Sequence, residues 1–121
     1  MTEIQTRDDI KTMIDAFYHK AVNDDVIGFF FTEVIQLDFE IHMPKMYDFW
    51  ETTLFHKAVY KGNPMSVHQD LHQKSPLEKV HYDRWQTLFL ETVDELFEGE
   101  KAELAKQRAQ SIAMMMQIKI K

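Results

Sequence analysis

Glycine and proline are so scarce in this chain, three of each in 121 residues, that its backbone has few places to turn. Each falls between blocks whose apolar residues recur at helical rather than alternating spacing, which predicts an all-α fold of five or six helices around one core. Thr6-x-x-Asp9 reads as the cap of a helix from about Arg7 to Val22, with Ile10, Met13, Ile14, Phe17, Tyr18 and Ala21 on one side. Asn23-Asp24-Asp25 ends it, and the continuous apolar run Val26 to Phe31 is expected to form a buried corner and short helix. Asp38 can cap the next helix, whose inner side reads Phe39, His42, Met46, Phe49, Trp50, Thr53 and Leu54. Pro44 cannot donate to the carbonyl of Glu40, so that helix either starts within a turn of Pro44 or bends there.

A short helix is expected from about Met65 to Gln73, after Gly62-Asn63-Pro64. Ser75-Pro76-Leu77-Glu78 combines a serine cap, a proline at the first helical position and an acid that can reach back. It predicts a helix to about Phe97 with Leu77, Val80, His81, Trp85, Leu88, Phe89, Val93 and Leu96 inward. Gly99 breaks the pattern, and Ala102, Ala105, Ala109, Ile112, Ala113 and Met116 mark a last helix whose small residues permit close packing.

Length fits a single domain over 1–121, with no room for a second catalytic unit. A formal charge of −6 and a pI near 5.4 argue against a nucleic-acid partner, whose affinity rests on lysine and arginine neutralising phosphate. With no cysteine, disulfides, thiolate ligation and iron–sulfur clusters are excluded, and a metal must use histidine, carboxylate, tyrosine or methionine. Met1 to Arg7 carries no apolar signal core, and no run is long enough to span a bilayer, so a cytoplasmic protein without a membrane partner is the expectation.

Chemistry concentrates at His42, Met46 and Trp50, set at four-residue steps and therefore on one helical face. One polar ring among bulky apolar groups, facing His68 on another element, is what a flat iron cofactor with an open coordination position needs. His72 is the rival ligand, and His68-x-x-x-His72 could clamp a metal from one face, but no carboxylate completes a zinc signature. His19 and His56 read as solvated, as does the acidic cluster Asp94, Glu95, Glu98, Glu100 and Glu103. Of Met114-Met115-Met116 only one or two can face inward.

Taken in order, Phe17-Tyr18, the corner Gly28-Phe29-Phe30-Phe31, His42-x-x-Lys45-Met46-x-x-Phe49-Trp50, Tyr60-x-Gly62-Asn63-Pro64-x-x-x-His68 and His81-Tyr82-x-Arg84-Trp85 resemble the group III truncated haemoglobins. The likeness runs from about residue 10 to residue 115, and its specificity lies in the ordered set, because each piece alone is weak. It implies a truncated globin, a two-over-two helical sandwich, with haem b and reversible binding of oxygen, nitric oxide or carbon monoxide. By position, His68 matches the proximal ligand of a pentacoordinate iron, and Tyr18 and Trp85 match distal hydrogen-bond donors. His42 matches the distal histidine, which donates to ligand or swings outward as a gate. Met46 lies over the iron and limits which ligands fit, Phe49 and Phe31 are walls, and Lys45 either meets a haem propionate or stands exposed. Three functions are compatible with this set: ligand binding or sensing, nitric oxide dioxygenation or peroxide reduction with a reductase partner, and a haem-free helical interaction module.

Overall fold

The computed structural model describes residues 2–34, 38–57, 60, 62, 68, 70–73 and 75–119. Among them lie four α-helices, α1 (Arg7–Val22), α2 (Phe39–Phe55), α3 (Lys79–Leu96) and α4 (Glu100–Lys119), with a π-helical turn at Phe30–Val34 between α1 and α2. Residues 68 and 70–73 are also helical, where a short helix was expected, whereas Met65 and the Asn63-Pro64 turn lie outside the described residues.

The first helix has the bounds its sequence predicts, and its cap explains why. Thr6 Oγ1 accepts the Asp9 amide at 3.3 Å while the Asp9 carboxylate takes the Thr6 and Gln5 amides at 3.1 and 2.8 Å, satisfying donors that a helix start leaves free. Ile10, Met13, Ile14, Phe17 and Ala21 are all buried. At α2, Asp38 accepts the Glu40 amide at 3.1 Å, and the helix carries Pro44 within its second turn. Pro44 is exposed, so the carbonyl that loses its partner there lies on the hydrated side of the helix.

One boundary moves. The helix expected to open at Ser75 opens instead at Lys79, with Glu78 as its cap. Ser75 donates its amide to Leu71 O at 2.9 Å, and the Leu77 amide goes to His72 Nδ1 at 2.9 Å, so Ser-Pro-Leu closes the preceding helical segment rather than starting the next. The inward stripe shifts accordingly: Val80 is 54% exposed, and Tyr82, which the apolar pattern passed over, is 7% exposed.

Helices α1 and α2 form one layer and α3 and α4 the other, with α1 laid on α3 and α2 crossing α4. That is the two-over-two sandwich. The ring of Trp50 from α2 stacks on Phe89 of α3 at 4.7 Å and 19°, and Phe17 of α1 meets the same ring edge-on at 5.3 Å. Along α4, Ala102, Ala105, Ala109 and Ala113 present methyl-sized knobs that are at most 1% exposed, which lets α3 approach closely. Gly99, at φ +97°, makes the reversal between the two, a backbone state that a side chain disfavours. The N-terminal segment is pinned beside it, Glu98 donating to Thr2 O at 3.0 Å. No helix among the described residues is long and apolar enough to cross a membrane.

Candidate functional site

Two helices of one layer deliver the central pair. Tyr18, in the last turns of α1, and His42, in the first turn of α2, meet with Tyr18 Oη and His42 Nε2 2.9 Å apart. The aromatic rings of Phe31, Phe39 and His42 surround the phenol edge-on at 5.7, 6.4 and 5.2 Å, so its walls come from α1, the π-helical turn and α2. Tyr18 keeps some solvent contact as a residue, yet its hydroxyl lies among densely packed atoms, and this burial drives its pKa well above the ordinary tyrosine value. It remains a protonated donor throughout the accessible pH range.

His42 titrates below the usual histidine value. Burial is the main cause, and repulsion from the charges of Lys45 and His68 adds to it. His68 comes from a different stretch of the chain, and its charge reaches His42. His68 is half-buried. His72, four residues on, spends its Nδ1 on the Leu77 amide and is thereby committed to the local turn. Among the described residues no group of three histidine or carboxylate side chains could hold a metal ion.

Trp85 lies on α3, in the other layer. Its indole packs edge-on against Phe17 at 6.0 Å and parallel to Phe89 at 5.9 Å, and among the described residues its N–H has no hydrogen-bond partner. Met46 and Phe49 are half-buried on α2, packed against the core, and Phe49 also meets the ring of Tyr60 at 5.2 Å. Trp50, the third member of the four-residue stripe, is 4% exposed and belongs to the core rather than to the edge of the site. Lys45 is exposed. A cleft of about 260 Å³ opens beside Tyr18, with Phe39 and Met43 on one wall.

A positioning contact was not read from the sequence. Asp24, taken there only as a helix terminator, is 4% exposed at its side chain and accepts Arg84 Nε at 2.8 Å and Nη2 at 2.7 Å. Its other oxygen takes the amides of Val26 and Ile27 at 3.0 and 3.2 Å. Burial pushes this carboxyl up, but Arg84 and the two amides outweigh it and hold the pKa below the usual aspartate value. The clamp ties the corner after α1 to the residue preceding Trp85. At that corner Gly28 passes so close to the end of α1 that a Cβ would fall 2.5 Å from Val22 O. A small ambiguous signal existed: Asp24 and Arg84 are both polar residues beside apolar blocks, but nothing in the spacing pairs positions 60 residues apart.

No family model matches the chain. A curated relative, the group 3 truncated haemoglobin ctb of Campylobacter jejuni, is 28% identical over 114 residues, covering 92% of this chain and 87% of its own length. Among solved structures, the crystal structure of the group III truncated haemoglobin from Campylobacter jejuni superposes with a TM-score of 0.87 at 27% identity, over 100% of this chain and 96% of that one.

Proposed function

We propose, from its standing as a truncated globin similar in sequence and fold to the group III haemoglobins, that the chain holds haem b through His68 and binds small diatomic ligands on the face lined by Tyr18, His42 and Trp85. The observation carrying this reading is the Tyr18–His42 hydrogen bond, made by an imidazole that also feels His68. A donor pair, the half-buried imidazole of His68 and apolar walls fit the group, whereas a cluster of ionic ligands would not. Haem, when bound, supplies an iron centre with an open position for oxygen, nitric oxide or carbon monoxide.

The protein's own part follows from proton bookkeeping at 2.9 Å. A hydroxyl has a single proton, so Tyr18 and His42 cannot both be acceptors, and the tautomer of His42 decides which of them is free to donate elsewhere. With the proton on Nε2, His42 donates to Tyr18 Oη and the phenolic O–H turns toward the ligand. With the proton on Nδ1, Tyr18 donates to His42 instead and the ligand loses that bond. The lowered pKa keeps His42 neutral near pH 7, where this choice is open. Trp85 offers its unpartnered N–H as a second donor, fixed by the stack on Phe89. Each charge-assisted bond contributes about 1.5–3 kcal/mol, which slows ligand escape roughly ten- to a hundredfold. Met46, Phe49 and Phe31 would exclude water, and Lys45, which is exposed, would be free to meet a propionate.

Absorption spectra of the native protein beside His68→Ala and His72→Ala test the assignment. A Soret band is expected in the native protein and in His72→Ala, and its loss in His68→Ala. The opposite pattern would move the axial ligand to His72, and a native protein that stays colourless after haem is added would leave only the haem-free interaction module.

A further inference from the structure

A second site lies away from the first, in a groove of about 990 Å³ between the start of α3 and the last turns of α4, with Leu77 and Tyr82 on one side and Met114 and Ile118 on the other. Tyr82, which lines it and is 7% exposed, carries the one buried side-chain polar atom among the described residues that lacks a hydrogen bond, its hydroxyl. Leaving such a group unpaired is destabilising, a cost removable by replacing tyrosine with phenylalanine. Its rim is apolar where solvent would favour polar residues: Met114 and Ile118 are 62% and 66% exposed. Both features are explained by a ligand that brings an acceptor to Tyr82 and apolar area to the rim.

The lining fixes the ligand's class. Lys79 and Asp83 neutralise each other at 2.6 Å, and Glu78 remains beside them, so the groove offers no net attraction to an anion. The amides of Gln86 and Gln110 supply further neutral donors. We propose that this groove binds a neutral quinone, its ring between Leu77, Met114 and Ile118, one carbonyl accepting from Tyr82 and the other from a glutamine amide. The volume is within the range of small-molecule sites, and the flexible thioether of Met114 is the side chain that moves aside to admit the ring.

Duroquinone is a suitable probe, since its ring carries no free position for addition and the protein has no cysteine to attack it. Equilibrium dialysis and saturation-transfer NMR on the protein as purified are expected to show binding that Tyr82→Phe weakens roughly five- to tenfold, the loss of one hydrogen bond, with circular dichroism unchanged. Ile118→Glu, on the exposed rim, is expected to weaken it also and serves if Tyr82→Phe does not fold. Equal binding of durene, the same ring without carbonyls, would overturn the proposal, as would no saturable binding of duroquinone. Sedimentation as a dimer that Ile118→Glu dissociates would assign the groove to a second copy of the chain and overturn it likewise. None of these readings depends on haem.

Discussion

Tyr18 and Tyr82 are both tyrosines whose hydroxyls have been taken away from water, and they differ in what receives the proton. Tyr18 meets an imidazole at 2.9 Å, whereas Tyr82 meets nothing among the described residues. Burial raises the pKa of both. A third tyrosine, Tyr47, shows the half-buried alternative: it is tied to the Asp15 carboxylate, and burial together with that bond pushes it up to about 12. A buried phenol is therefore no signature of function by itself. What distinguishes the Tyr18 region is that its partner can hand the proton back.

The largest expected effect separates the two regions directly. In the haem-loaded protein, Tyr18→Phe should speed oxygen escape roughly ten- to a hundredfold by stopped-flow, and Tyr82→Phe should leave it unchanged. A change of less than twofold in the first variant would remove Tyr18 from the ligand's surroundings. Next comes the clamp on which the first region depends and the second does not. Asp24→Ala unpairs the amides of Val26 and Ile27, so a stability loss of about 1–3 kcal/mol is expected by urea titration. It should be accompanied by altered ligand kinetics, because the corner and Trp85 lose their common anchor; unchanged kinetics would make the clamp a matter of folding only. Smaller again is the stability change in Tyr82→Phe, a gain of about 1 kcal/mol, since the substitution deletes an unpaired hydroxyl and keeps the ring. A loss of that size instead would reveal a partner for the hydroxyl.

How far these regions could be read in advance follows the range of the forces involved. Local chemistry was legible: the Thr6–Asp9 box, the Asp38 cap and the alanine row of α4 sit where spacing put them, because each depends on residues within a turn or two. The Tyr18–His42 contact was legible through the resemblance, which named both residues; periodicity alone singled out His42 and left Tyr18 and Trp85 as ordinary core aromatics. The start of α3 was misread because the Ser-Pro-Leu-Glu signal is locally valid, but the tertiary need to close the helix ahead of it, through Leu71 and His72, took the same groups. Once the start slipped by a few residues, Val80 turned outward and Tyr82 inward. The Asp24–Arg84 pair was invisible for a different reason: long-range ion pairs leave no period in a sequence.

The smallest effect concerns His42, and its sign can be worked out. Burial, then the charges of Lys45 and His68, disfavour the protonated imidazole in the folded chain, so its folded pKa lies below the ordinary 6.5. Above 6.5 both folded and unfolded chains carry it neutral, and its contribution to stability is fully present. As the pH falls from there through the folded pKa, the unfolded chain takes up the proton first, and that contribution is lost. In the haem-free protein, the urea midpoint should therefore fall between pH 7.5 and pH 5.5. His42→Gln, which keeps an amide able to bond Tyr18 but has no proton to gain, should show a shallower fall over the same interval. Parallel curves would mean that the imidazole is equally easy to protonate in both states, and the tautomer choice that frees the Tyr18 proton would then compete with a charged form near neutral pH. Tyr82→Phe leaves every histidine in place, so the same comparison there should reproduce the wild-type slope, leaving His42 as the element that makes the Tyr18 phenol pH-sensitive in its surroundings.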